Sequence, residues 1–368
     1  IINEIADATD GTEQQKRSIK AEALAGRAWT YFLLINYYGK PYNEATSADD
    51  AGFPIITAAD VTETRFTRAS VKAVYDFIVE DLKAAIPDLP VQLTHRLRMS
   101  KAAAEGLLGK VYMFMGRFND ALPLLNASIT DMASGKLPAG LYDYTAAFTA
   151  PDGAFLPIGL FGPGYPSAYD NQESLYAKQF INSWTFSNNE IVITPQTAGL
   201  YKPSDLRLRF FAPNAFFGSN YPNGMLRRIG PTATQIGVLV PDLYLLRAEC
   251  RARLDDLSGG KADVETLREN RMPVADAAVP AGIESDKKAL VKFILEERIR
   301  EFAVQGYRWF DMRRLSVDPD YSATVGYTHT LYSPDGGISE TFTLTPERLV
   351  LRFTQKLMDQ NPGMDNNQ

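Results

Sequence analysis

The sequence predicts a mainly α protein: an α/α superhelix of stacked helix pairs, with irregular loops and one small β-hairpin. Three observations predict it. Apolar residues recur at three- and four-residue steps in several segments, each closed by Gly or Pro. One run, "SKAAAEGLLGKVYMFMGRFNDALPLLNASI", reads as helix, tight turn, helix. From about 151 to 223 the periodicity disappears, and Gly, Pro, Asn and Ser dominate. The chain has 368 residues, 45% of them hydrophobic, enough for a large core.

The first helix runs from about Glu13 to Tyr38. Ile19, Ala23, Ala28, Phe32 and Leu33 lie near one face. Gly39, as a left-handed cap, and Pro41 then stop it. Ser70 caps the second helix, where Val71, Val74, Ile78, Leu82 and Ala85 form a stripe closed by Pro87 and Pro90. In the third segment Ala102, Ala103, Gly106, Gly109 and Ala121 are small enough for two helices to touch closely. Leu108, Gly109, Tyr112, Gly116, Phe118 and Ala121 stand where a tetratricopeptide hairpin places its Leu, Gly, Tyr, turn Gly, aromatic and Ala.

A related half-pattern follows in "PDLYLLRAECRARL", with Leu243, Leu246, Cys250 and Leu254 as its stripe. "ADVETLREN" reads as the returning helix after a Gly259-Gly260 loop. A helix from about Lys287 to Gln305 buries Val291, Ile294, Leu295, Ile299 and Phe302. Such pairs stack because one pair cannot cover its own apolar face. "YTHTLY" and "ISETFTLT" around "SPDGG" predict the hairpin. One domain, 1–368, thus divides into tetratricopeptide-like helices at 13–135 and an irregular aromatic-rich region at 146–230. C-terminal helices follow at 231–315, then hairpin and tail at 316–368.

Several functions are excluded. A net charge of -6, with no dense run of Lys and Arg, leaves no nucleic-acid footprint. No stretch of about 20 apolar residues occurs to span a bilayer. The single cysteine, Cys250, forms no intrachain disulfide and reads as an inert buried thiol. His95 and His329 are the only histidines, and neither HExxH nor CxxC occurs, so no zinc site or other cofactor is expected. "DATDGTE" (7–13) breaks calcium-loop spacing and reads as a solvated loop or helix cap. "NAS" at Asn126 fits the glycosylation pattern but falls on a helix. A glycosidase would need two carboxyls facing a cleft, and Glu296, Glu297, Glu301 and Asp311 are the ones to weigh. Helical spacing instead pairs Glu296 with Arg300 and Arg298 with Glu301. No catalysis is expected.

The irregular region holds fourteen aromatics between 155 and 221. Long loops on a rigid scaffold are where binding residues gather. Flat aromatic faces can pack on an apolar ligand face, and amides can bond a ligand's polar groups. Trp184 is the leading candidate, followed by Tyr165, Tyr169, Phe216 and Tyr221. Asn182, Asn188 and Asn220 are the polar partners. Trp29, on a helix, reads as scaffold. "GYRWFDMRRL" (306–315) reads as a staple: Gly306 ends the preceding helix, and Tyr307, Trp309 and Phe310 tuck against the core. Asp311 then takes Arg308 or Arg314.

Taken in order, these segments resemble the SusD/RagB family of Bacteroidetes outer-membrane nutrient-binding lipoproteins. "AEALAGRAWTYFLLINYYGKP", "RASVKAVYDFIVEDLKAAIPDLP" and "SKAAAEGLLGKVYMFMGRFNDAL" are similar to the family's early helices. "VPDLYLLRAECRARL", "ILEERIREFAVQGYRWFDMRRL" and "NPGMDNN" are similar to its later helices and tail. The resemblance covers about 20–130 and 238–368. It implies capture of oligosaccharides without turnover at the cell surface. It also implies a lipid anchor in the outer membrane and hand-off to a TonB-dependent transporter. The start "IINEIADATD" has no signal peptide, and the lipid-bearing cysteine is not in this sequence. The first helices are expected to precede it. Alternative readings are a peptide-binding uptake protein of the same family and, less favoured, a glycoside hydrolase.

Overall fold

The computed structural model describes residues 1–60, 62–91, 95–159, 162–181, 189 and 191–367. Helix α1 (Glu13–Tyr38) opens on a capping box. The Thr12 hydroxyl accepts from the Gln15 N–H at 3.2 Å, and the Gln15 side chain accepts from the Thr12 N–H at 2.8 Å. "DATDGTE" is therefore the cap. The buried face is Ala21, Ala25, Ala28, Phe32 and Ile35, while Ile19, expected inside, is 39% exposed. Gly39 ends α1, but not by a left-handed cap. Its φ is -98°, and a Cβ there would collide with Ile35.

Ser70 caps α2 (Val71–Ala85) by accepting from the Ala73 N–H at 3.1 Å, and the whole expected stripe is buried. The pair α3 (Lys101–Phe114) and α4 (Phe118–Ala133) turns at Gly116, whose φ is +71°. A Cβ on Gly109 would lie 2.9 Å from the Leu125 side chain, so the helices approach through that glycine. Asn126 lies inside α4 and accepts from Arg247 at 3.3 Å. A short helix, α5 (Tyr144–Thr149), follows.

Helices α6 (Val240–Arg253) and α7 (Leu257–Glu269) form the next pair. Their turn is 254–256, with Asp255 at φ +67°. Gly259 and Gly260 do not form the loop. They sit in the first turn of α7, where a Cβ on Gly260 would stand 2.9 Å from the Ala248 carbonyl. Helix α8 (Lys287–Phe302) stops short of Gln305. Gly306, at φ +84°, caps the start of α9 (Tyr307–Ser316) and does not end α8.

Helix α6 lies between two cores. Leu243, Leu246 and Cys250 join α1–α4, while Leu245, Ala248 and Ala252 face α7, α8 and α9. Stacked pairs sharing buried faces make the tetratricopeptide-like layer. The Cys250 thiol donates to the Phe118 carbonyl at 3.2 Å, and burial pushes it up to about 12. Among the described residues no helix is long and apolar enough to cross a membrane.

The irregular region is pinned by short strands. These are β1 (Ile158–Gly159), β2 (Gly162–Pro163), β3 (Ser174–Tyr176), β4 (Gln179–Ile181), β5 (Val192–Ile193), β6 (Phe211–Ala212), β7 (Leu226–Arg228), β8 (Ala233–Gln235) and β9 (Val238–Leu239). Strand β7 lies between β5 and β6, antiparallel to both. The hairpin pairs β10 (Thr328–Tyr332) with β11 (Ile338–Thr343), Thr328 opposite Thr343.

Candidate functional site

Three of the four acidic candidates for catalysis, Glu297, Glu301 and Asp311, are bound up in ion pairs, while Glu296 is only half-buried. Glu297 is fully buried and meets Arg207, Arg268 and Arg300 at 2.7, 2.7 and 2.8 Å. Glu301 takes Arg207 at 2.9 Å and Arg271 at 2.8 Å. Arg298 bridges Asp242 and Asp311, each at 2.8 Å. The local pairs expected from helical spacing, Glu296–Arg300 and Arg298–Glu301, are not made; Arg300 pairs with Glu297 on the same helix, and the remaining partners come from other helices and loops. Burial alone would raise Glu297, but its three arginines outweigh it and hold the carboxyl well below the usual range. A general acid needs the opposite shift.

The "GYRWFDMRRL" segment is α9, and it clamps. Tyr307 stacks on Phe302 at 4.2 Å, and Phe310 meets Tyr37 edge-on at 5.3 Å. Asp311 accepts from Arg314 at 2.9 Å and from Arg298, not from Arg308. Buried Arg313 donates to the carbonyls of Gly39 and Leu349, tying the end of α1 to the tail. Trp29 is half-buried, and its indole N–H donates to the Ile236 carbonyl at 3.3 Å.

The loop aromatics divide into two groups. Tyr165 faces inward, stacked on Phe155 at 5.4 Å within a cluster of Tyr144, Phe148, Phe155 and Phe210. Phe216 and Tyr221 belong instead to a surface loop, 213–221, folded tightly on itself. The Tyr221 N–H donates to the Pro213 carbonyl at 2.8 Å, and Asn214 pairs with Asn220. Asn189 braces this loop: its side chain accepts from the Phe216 N–H, and its carbonyl accepts from the Tyr221 phenol at 2.7 Å. From beneath, buried Arg227 of β7 places its guanidinium 5.6 Å from the Phe216 ring and donates to the Asn214 carbonyl at 3.2 Å.

Phe217 completes the surface. Its ring lies 4.2 Å from that of Phe216 and is 78% exposed, on a residue whose φ is +53°. A bulky side chain in the left-handed region costs about 1–3 kcal/mol, and such strain gathers at functional sites. The hairpin turn borders this loop, since the Asn223 side-chain amide donates to the Gly336 carbonyl. A Cβ on Gly336, at φ +86°, would stand 2.7 Å from Pro222.

The structure therefore brings together Phe216, Tyr221 and the exposed Asn220. Tyr165 is not part of this surface. Tyr169, 59% exposed, stands apart with its ring edge-on to His95 at 4.9 Å. Trp184, Asn182 and Asn188 lie outside the described residues. Sequence reasoning missed Phe217, Asn189 and Arg227 as parts of one site. The neighbouring turn letters in "FFGSN" were the available signal.

Residues 1–113 match a family model described as starch-binding associating with outer membrane, and 240–367 match the model of the SusD family. SusD-like protein P2 of Formosa agariphila is 22% identical over 397 aligned residues, covering 95% of this chain and 75% of that protein. A SusD superfamily protein of Bacteroides thetaiotaomicron superposes with a TM-score of 0.72 at 17% identity, over 100% of this chain and 82% of its own. Surface glycan-binding protein A of Bacteroides uniformis does so at 0.70 and 15%, over 100% and 81%. At such identities the structural likeness speaks for the fold.

Proposed function

The chain belongs to the SusD/RagB family, and from that premise we propose that it captures oligosaccharides at the cell surface without turning them over. The observation that carries this reading is Phe217, a large ring held out to water on a strained backbone beside Phe216. The exposed Phe217 ring beside the half-buried Phe216 offers an apolar face to sugar rings, and the nearby Asn220 and the Tyr221 loop offer polar groups at its rim. The glycan-binding relative supports the ligand class. The arginine grip on Glu297, Glu301 and Asp311 supports binding without catalysis. Family membership supports association with the outer membrane, and the proposal includes a lipid anchor and hand-off to a TonB-dependent transporter. Trp184, Asn182 and Asn188 remain in the proposed site on the sequence reading alone.

Calorimetric titration against a panel of neutral oligosaccharides and peptides tests the reading. Binding to at least one oligosaccharide, weakened by Phe217→Ala and by Trp184→Ala with little change in Tm, is expected. Heat from peptides alone would transfer the protein to peptide uptake. Steady release of shortened sugar, abolished by Glu297→Gln, would make it a hydrolase.

A further inference from the structure

Arg228 stands next to Arg227 on β7, and neighbouring residues of a strand point to opposite faces. Arg227 supports the platform; Arg228 turns inward. It is 5% exposed and donates to the Ala303 carbonyl at 2.8 Å. Among the described residues no carboxylate pairs with it. The charged interior beside it is balanced without it. Arg207, Arg268, Arg271 and Arg300 face Asp205, Glu173, Glu297 and Glu301, four against four. Arg228 is a fifth cation. Burial lowers it, to about 10, so it remains charged at neutral pH.

This guanidinium borders a cavity of about 50 Å³. Asn171 and Gln235 line the same cavity at 1% and 3% exposure, and among the described residues Asn171 Nδ2 and Gln235 Oε1 lack hydrogen-bond partners. Tyr144 and Tyr165 also line it. Glu173 and Glu301 reach its wall, but Arg271 already holds them at 2.7 and 2.8 Å. Buried polar atoms are normally satisfied, and a lone buried charge is costly. The space exceeds the roughly 10–15 Å³ that one water needs and is far below the ~300 Å³ of a small-molecule pocket.

We propose that this cavity binds one small monovalent anion of chloride size. Arg228 supplies the charge, Asn171 Nδ2 a neutral donor, and a water on Gln235 Oε1 fills the remainder. The ion would neutralise the strand that carries the platform from behind.

Two measurements test it. Thermal melts are run in sodium chloride and in sodium gluconate at equal ionic strength. Crystals soaked in sodium bromide are examined for anomalous scattering. Above saturation the wild-type Tm should rise by about 2 °C per tenfold of chloride, with no matching rise in gluconate. Arg228→Met should lose the difference; should it fail to fold, Asn171→Ser, which removes the neutral donor, should shrink it. A bromide peak within hydrogen-bond reach of Arg228 is expected. Equal melts in the two salts, or crystals with no bromide in the cavity, would overturn the proposal.

Discussion

Arg314 holds Glu249 by two parallel hydrogen bonds, Nη1 to Oε1 and Nη2 to Oε2, both 2.7 Å, with both side chains buried. The forked geometry fixes α9 against α6 in angle as well as distance. The chain of charge continues: Arg314 to Asp311, Asp311 to Arg298, Arg298 to Asp242, and Asp242 to Lys110 of α3 at 2.8 Å. "GYRWFDMRRL" is thus one end of a polar seam crossing the stacked pairs.

Removing one partner from such a seam leaves a buried charge uncompensated. Glu249→Gln leaves Arg314 with Asp311 alone, and Arg253, which meets Glu249 at 2.8 Å, with Asp318 alone. A loss of about 3–5 kcal/mol in urea-induced unfolding is expected, with an unchanged denaturant slope. A loss below about 1 kcal/mol would show the seam to be dispensable.

Acid should unfold the protein through the same groups. Burial alone would raise Glu249 and Asp311, but Arg314 and their other arginines outweigh it and hold each at about 2. A carboxylate lowered on folding stabilises the fold fully above its unfolded value near 4, and that stability is lost as pH falls through the folded value. The unfolding midpoint should stay level from pH 7 to about 5 and drop between about 4.5 and 2. A midpoint that first falls near pH 6 would point to other groups.

Glu297 offers a test that separates structure from catalysis. Its three arginines make it a fully buried hub. Glu297→Gln should lower Tm strongly while any glycan affinity of the folded fraction stays within about twofold. A variant that melts like wild type would deny the hub its structural role.

Much of the helical layer was legible because caps and periodicity act locally. Thr12, Ser70 and Gly116 sit where local chemistry requires them. The second face of α6 was not legible. Leu245, Ala248 and Ala252 look like background beside the stronger stripe, and buried Asp242 and Glu249 look solvent-facing until Arg298 and Arg314 arrive from α8 and α9. The expected Asp311–Arg314 pair forms on one helix, but Glu296–Arg300 and Arg298–Glu301 do not, since spacing is blind to the partners that other elements bring. In the loops, composition marked an aromatic region but not which rings face water. That depends on a backbone turn at Phe217 that no periodicity announces.

Phe217 gives the sharpest prediction. Its φ of +53° is strained for a bulky side chain and free for glycine. Phe217→Gly should therefore leave stability unchanged or raise it by up to about 1 kcal/mol, despite removing a large apolar side chain. The same change takes away the exposed ring beside Phe216, so oligosaccharide affinity should fall at least about tenfold, equal to about 1.4 kcal/mol. Gain in one property with loss in the other is what a strained binding residue predicts. Calorimetric titration and thermal melting on the same preparation read both. A ring that serves the core would behave the other way: Phe217→Gly would lower stability by about 3 kcal/mol and leave binding intact.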